Sequence, residues 1–156
     1  MTRRHVPQEA GHYTLLKDFP CFGDLNEAEQ KAIAEFSIAE CFPEGYTFFH
    51  EGESAEKIYL LANGEVEVLY SIGDEGPVRV DTLGPGEILG CAALVPPHKY
   101  TATMRALNEV EVLAVDVPSL LKLMQEDCPV GFAIQQYAMR LMLDRILDFR
   151  LGARAA

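Results

Sequence analysis

The chain has 156 residues, of which 49% are hydrophobic and 24% charged, and this is typical of one globular domain. It holds no apolar run of about 18 residues, and no apolar stretch follows the basic N-terminus. A transmembrane helix and a secretory signal peptide are therefore excluded. The formal net charge of −11 disfavours nucleic-acid binding, because an acidic surface repels phosphate backbones. We expect a cytoplasmic protein with neither a nucleic-acid nor a membrane partner.

The cysteines are far apart in the sequence, at Cys21, Cys41, Cys91 and Cys128. They form no CxxC pair and no cluster with histidine, so the spacing signals for zinc, iron–sulfur and thioredoxin-like sites are missing. We expect reduced thiols and no bound metal.

The first part of the chain is predicted to be a tail over residues 1–14 and helical over 15–42. Asn26 is the expected N-cap of a helix, and Glu29 is its capping-box partner three residues later. Ile33 and Phe36 supply the apolar stripe behind this entry.

From 43 to 116 the hydrophobic period changes to two, and turn signals recur every few residues. Asn63-Gly64 between two strand-like runs predicts a tight hairpin. Further turns are expected at 73–77 and 84–86. Seven or eight short antiparallel strands in this span predict a β-sandwich or jelly roll.

Helical patterning returns over 118–150 and leaves a tail at 151–156. Pro118 suits the first turn of a short helix, and 127–129 should separate that helix from a long final one. The final helix carries two apolar stripes, one through Phe132, Met139, Met142, Ile146 and Phe149 and the other through Ile134, Tyr137, Ala138 and Leu141. Two stripes predict two partners, the strands and a second copy of the helix in a homodimer. The alternative is that the two stripes form one broad apolar surface, which the N-terminal helices cover.

Three segments read FHEGESAEKIYLLANGEVEV at 49–68, LGPGEILG at 83–90 and TATMRA at 101–106. In this order they resemble the cyclic-nucleotide-binding domain of the catabolite activator protein family, of cyclic-nucleotide-dependent kinases and of gated channels. The resemblance covers residues 15–150. It implies an eight-stranded antiparallel jelly roll with N-terminal helices and a long C-terminal helix.

The resemblance also implies a ligand site, the phosphate-binding cassette at residues 89–103. The positions that match the family pattern are Gly90, Ala92, Ala93, Thr101 and Ala102. Cys91 stands where the family has an acid for the ribose hydroxyl, and Tyr100 stands where it has an arginine for the cyclic phosphate. Neither residue replaces that chemistry, because a thiol is a weak acceptor and a tyrosine carries no charge. Lys99 is the candidate anion contact, although a neighbour of a pocket position on a strand normally points away.

These features predict a regulatory sensor domain and not an enzyme. It would bind cAMP or cGMP weakly, or another small ligand, and act through a separate effector protein. No helix-turn-helix follows the final helix, which agrees with the absence of DNA binding. A ligand-independent dimerisation or protein-interaction module is the alternative. Redox sensing at Cys91 is a third hypothesis. The alternative for this residue is that Cys91 only packs in the core as a small hydrophobic side chain.

Overall fold

A computed structural model describes residues 4–5, 16 and 19–155, with side chains for 16, 19 and 22–148. The strands in this part of the chain are β1 (Arg4–His5), β2 (Ser37–Phe42), β3 (Thr47–Phe49), β4 (Lys57–Asn63), β5 (Val66–Ser71), β6 (Pro77–Leu83), β7 (Ile88–Leu89), β8 (Thr103–Ala106) and β9 (Val110–Asp116). The helices are α1 (Pro20–Gly23), α2 (Glu27–Ala34), α3 (Val117–Glu126) and α4 (Cys128–Ala155), with a 3-10 turn at Cys91–Leu94.

The strands form two antiparallel sheets, in the orders β1-β2-β9-β4-β7 and β3-β8-β5-β6. Strands β2–β9 make the eight-stranded jelly roll, so the predicted fold class is confirmed. The inward side chains of both sheets form one core, which includes Leu60, Val66 and Leu113 with no exposed surface. Their burial supplies most of the free energy that holds the sheets together.

Helix α2 begins as its sequence predicts. The Asn26 side chain accepts a hydrogen bond of 2.8 Å from the Glu29 amide, and the Glu29 carboxylate accepts one of 2.9 Å from the Asn26 amide. This reciprocal pair satisfies two amides that a helix start leaves open. The capping box is therefore confirmed.

The predicted helical region 15–42 is wrong at its end, because Ser37–Phe42 is strand β2 and pairs with β9 along its whole length. A short apolar run is ambiguous between helix and strand, and here a partner strand decided it. Two further boundaries differ: Arg4–His5 in the predicted tail pairs with β2, and α4 continues to Ala155. Residues 6–15 and 17–18, and the Phe149 side chain, lie outside the described part.

The predicted hairpin at Asn63-Gly64 is also wrong, because β4 and β5 lie in different sheets. Only Gly64 has a positive φ, of 92°, whereas a two-residue type I′ hairpin turn needs it at both positions. A Cβ on Gly64 would lie 2.5 Å from the carbonyl oxygen of Glu109. The glycine therefore allows a close approach to the loop before β9 as the chain crosses between sheets.

Helices α3 and α4 are separated at Asp127, as predicted, and α4 packs on the body of the domain. Asp116 caps α3, since its carboxylate accepts from the Ser119 amide at 3.0 Å. On α4 the inner stripe includes buried Ile134. On its outer side Phe132 and Met139 are 68% and 70% exposed. The described residues do not cover this outer stripe.

Candidate functional site

The cassette begins where β7 ends, at a glycine that the geometry requires. Gly90 has a φ of 87°, and a Cβ there would lie 2.9 Å from Cε1 of Tyr100. The chain then enters the 3-10 turn Cys91–Leu94, within which Ala93 is fully buried. Gly90 therefore lets the start of the cassette pack directly against the ring of Tyr100.

Tyr100 is held by the first residue of β4 and by a neighbouring ring. Its hydroxyl donates to the Lys57 carbonyl oxygen at 2.6 Å and accepts from the Lys57 amide at 3.3 Å. Its ring stacks on Phe49, with centroids 3.6 Å apart and an interplanar angle of 6°. Burial raises the pKa of Tyr100, although the hydrogen bond to Lys57 acts against it. The hydroxyl is therefore neutral and engaged with backbone, while the ring faces the cavity described below.

The loop between the 3-10 turn and β8 directs its basic side chains elsewhere. His98 has a φ of 55°, and its Nδ1 lies 2.7 Å from the Ala93 carbonyl oxygen. A carbonyl can only accept, so this nitrogen carries a proton. Lys99 is exposed and pairs through its backbone with Ser54. Neither basic residue is among those that line the cavity, so an anion contact at Lys99 stays a prediction.

A cavity of about 280 Å³ lies between the cassette, the inner face of the second sheet and α4. This volume is just below the range of about 300–1,000 Å³ usual for ligand pockets. Its lining residues are Phe49, Val68, Tyr70, Ile88, Gly90, Cys91, Ala92, Val95, Tyr100, Thr101, Ala102, Met104, Leu141, Met142 and Arg145. Six of the eight predicted site residues are thus brought together, and Ala93 and Lys99 are not.

Arg145 is the charged residue in this lining, and the sequence analysis did not single it out. Its guanidinium lies 3.9 Å from a carboxylate oxygen of Asp81 on β6, and 33% of its side chain is exposed. The signal was present in the inner stripe of α4, because Arg145 follows Leu141 by one helical turn. The cation of the cavity therefore comes from the covering helix and not from the cassette.

Cys91 lines the same cavity as a neutral thiol. Burial raises its pKa to about 11, and the positive charge of Arg145 only partly offsets this effect. Reactive cysteines have a lowered pKa, because the thiolate is the nucleophile. The geometry thus favours an inert thiol over a redox sensor. Within the described residues, no group of His, Cys, Asp and Glu side chains is arranged to hold a metal ion.

The jelly roll, the cassette and the covering helix together define a domain of the cyclic-nucleotide-binding fold. Residues 39–127 match the family model for the cyclic nucleotide-binding domain, and the chain belongs to this family. Domains of this family are typically regulatory and not catalytic. None of the described helices combines the length and apolarity of a membrane span.

Similar proteins include two with cyclic AMP in their names and one solved domain. The chain is 31% identical over 104 residues to a cAMP-dependent protein kinase regulatory subunit of Yarrowia lipolytica, covering 65% of the chain and 27% of that protein. It is 26% identical over 100 residues to the cyclic AMP receptor protein of Thermus thermophilus, covering 64% of the chain and 46% of that protein. A cyclic nucleotide-binding domain from Methylobacillus flagellatus superimposes with a TM-score of 0.79 at 17% identity, covering 94% of this chain and 84% of that one. The chain thus spans less than half the length of these two curated relatives.

Proposed function

We propose that this domain is a regulatory sensor that binds a small ligand in the cavity beside the cassette, with a specificity altered from that of its cyclic-nucleotide-binding relatives. The observation that carries the proposal is the cavity itself, bounded on one side by the cassette and on the other by α4. A ligand there would touch Leu141, Met142 and Arg145 on the helix. Binding would therefore change the packing of α4, through which a separate effector protein could read the signal.

Two cassette positions support altered specificity. Cys91 offers a neutral, half-buried thiol where the family resemblance implies an acid. Tyr100, where an arginine is implied, uses its hydroxyl on the backbone of Lys57. Neither provides the charge-assisted hydrogen bonds that a cyclic phosphate and a ribose receive from such residues. We therefore expect weak binding of cAMP or cGMP, or tighter binding of another small ligand.

Thermal unfolding with and without 1 mM cAMP or cGMP tests this function. A dissociation constant of about 100 μM would stabilise the domain by about 1.4 kcal/mol. For a domain of this size the midpoint would rise by about 3–6 °C. No rise with either nucleotide would contradict cyclic-nucleotide binding.

The double change Cys91→Glu with Tyr100→Arg sharpens that test. It restores the implied acid and cation, so it should raise cAMP affinity by tenfold or more if the cavity admits the nucleotide. It also removes the hydrogen bonds to Lys57 and should lower stability. Tyr100→Phe alone is the matched control, because it loses those bonds without gaining a charge. Absence of cAMP binding in both the double variant and the control would show that the cavity is closed to nucleotides, and an equal measurable affinity would show that positions 91 and 100 do not contact the nucleotide.

The exposed outer stripe of α4 favours a second candidate, a homodimerisation module that works without a ligand. Phe132, Met139, Met142 and Ile146 are all exposed and follow one another at steps of seven, three and four residues. This is the spacing of a helix that packs against a second copy of itself. We propose this pairing as the dimer seam of the protein.

Met139→Glu tests the seam better than a change at Met142, which also lines the cavity. A buried charge in the seam should convert a dimer into a monomer, measured as the mass by light scattering. Arg140→Gln, at an exposed position of the same helix off the stripe, changes the charge by the same amount and should leave the mass unchanged. A mass that Met139→Glu does not alter would contradict the seam.

A further inference from the structure

The cavity combines an apolar lining with one cation. Among its described lining residues Arg145 carries the only formal charge, and the polar groups beside it are the hydroxyls of Tyr70, Tyr100 and Thr101 and the thiol of Cys91. The Tyr100 hydroxyl is already engaged with Lys57. An arginine against such a lining needs a negatively charged partner, since an unpaired charge is costly to remove from water.

The partner that the domain itself supplies is weak. Asp81 is half-exposed, and its carboxylate oxygen lies 3.9 Å from one guanidinium nitrogen of Arg145. That distance exceeds a charge-assisted hydrogen bond, for which about 2.7–2.9 Å is usual. It also leaves unused the planar, two-pronged geometry by which arginine binds carboxylate and phosphate. A competing anion at the right place could therefore displace Asp81 at small cost.

We infer that Arg145 is the anion-binding residue of the cavity, and that it exchanges its weak contact with Asp81 for the negatively charged group of the ligand. This inference rests on the proposed role of the cavity as a ligand site. The cation that the resemblance implies at Tyr100 is thus replaced by one on α4. The ligand class that fits is an organic anion, such as a phosphate ester, whose remaining part is largely apolar or aromatic.

A cation on α4 has a different consequence from a cation on the cassette. A phosphate held by a cassette residue would bind the jelly roll, whereas one held by Arg145 joins the jelly-roll cavity to α4. The anion would draw Arg145 away from Asp81 on β6. Ligand charge is therefore coupled to the position of the helix whose outer stripe we propose as the dimer seam.

The first experiment compares cAMP with adenosine, which lacks the phosphate, by calorimetric titration into the wild type, Arg145→Gln and Arg140→Gln. Arg140 lies on the same helix, is exposed and does not line the cavity. We expect Arg145→Gln to weaken cAMP binding by roughly 10- to 100-fold and to leave adenosine binding unchanged. Arg140→Gln should bind both as the wild type does. Equal cAMP binding by wild type and Arg145→Gln would overturn the inference and leave the proposed function standing.

If the wild type does not bind cAMP, cyclic-nucleotide binding fails and a second experiment decides the inference. Cys91 is alkylated at pH 9 with iodoacetate, an anion, or with neutral iodoacetamide, each displacing iodide. Peptide mass spectrometry measures both rates at Cys91 and at exposed Cys128, which is the internal reference. The ratio of the two rates at one thiol cancels its thiolate fraction.

The ratio of the iodoacetate rate to the iodoacetamide rate should be about fivefold higher at Cys91 than at Cys128, because Arg145 attracts the anion. This is roughly the effect of one opposite charge at 4 Å in water. Arg145→Gln should abolish the preference, and Arg145→Lys should keep most of it. An equal ratio in wild type and Arg145→Gln would overturn the inference. So would the failure of both reagents to reach Cys91, because the cavity beside Arg145 would then be closed to small anions.

Discussion

A charged group lies against each face of the second sheet, Glu67 of β5 on the outer face and Arg145 of α4 on the inner face, and the two have opposite surroundings. On the outer face the Glu67 carboxylate is 3% exposed and lies between two arginines. Arg79 donates to one of its oxygens at 2.9 and 2.5 Å, and Arg105 donates to the other at 2.8 Å and through a second, shorter contact. At the inner face Arg145 of α4 has one ion-pair partner among the described residues, Asp81 at 3.9 Å.

This difference separates a structural charge from one that is available to a ligand. Burial acts to raise the pKa of Glu67, but the hydrogen bonds from Arg105 and Arg79 outweigh it and the pKa is lowered. Each carboxylate oxygen already accepts from one of the arginines, so the outer cluster joins β5 to β6 and β8. Arg145 makes no such close contact with Asp81, and it lines a cavity.

The largest effect is expected from Glu67→Gln. It leaves two arginines without their anion, and because both are about half-exposed to water we expect a loss of about 2–4 kcal/mol, at the lower end for a buried ion pair. Since the pKa of Glu67 is lowered by folding, its contribution is present above an unfolded pKa of about 4.3 and is lost as the pH falls below it. Urea unfolding of the wild type and the variant at pH 7 and at about pH 3 measures both effects. Exposed Glu65→Gln is the control, and an equal loss there would contradict the structural role of Glu67.

The next largest effect is a loss of stability at alkaline pH, which is caused by Cys91. Folding raises its pKa from 9.0 to about 11, so its neutral form stabilises the fold below about pH 9 and that contribution is lost as the pH rises towards 11. The difference corresponds to about 2–3 kcal/mol. Cys91→Ala should remove this part of the decline when stability is measured from pH 7 to 11. The stability of the exposed control Cys128→Ala should decline as that of the wild type does, and a similar decline in Cys91→Ala would contradict the raised pKa of Cys91.

A smaller loss should follow Tyr100→Phe. The change removes the hydrogen bonds to the Lys57 backbone and keeps the stacked ring, so we expect a cost of about 1–2 kcal/mol and no change in ligand affinity. Tyr70→Phe, in the same cavity, serves as the comparison. Weakened ligand binding with unchanged stability would show instead that the Tyr100 hydroxyl serves the ligand.

The smallest effect is expected from Asp81→Asn. Removing a half-exposed partner 3.9 Å away should change stability by less than about 1 kcal/mol. The same change frees Arg145 and should raise the affinity for an anionic ligand, by up to about fivefold. The exposed turn variant Asp74→Asn should do neither. A lower affinity in Asp81→Asn would mean that Asp81 orients Arg145 rather than competing with the ligand.

Most of the fold could be predicted because its signals are local. The capping box at Asn26 and the break at Asp127 involve residues within one helical turn. The misassigned features depend on distant partners: Ser37–Phe42 is a strand because β9 lies beside it, and Gly64 meets the loop before β9 instead of closing a hairpin.

The candidate site shows the same limit. Alignment with the family pattern could locate Cys91 and Tyr100, since the cassette is continuous in sequence. It could not show that the Tyr100 hydroxyl turns to Lys57, 43 residues earlier. Nor could it bring Arg145 to the cassette, because that contact depends on how α4 crosses the jelly roll.

The most direct test of this account is one set of thermal unfolding curves for wild type, Glu67→Gln and Arg145→Gln, each with and without 1 mM cAMP. We predict that Glu67→Gln lowers the midpoint by about 5–15 °C and keeps the rise caused by the nucleotide. Arg145→Gln should keep the wild-type midpoint within a few degrees and lose most of that rise. A nucleotide-induced rise that survives in Arg145→Gln and disappears in Glu67→Gln would contradict the account.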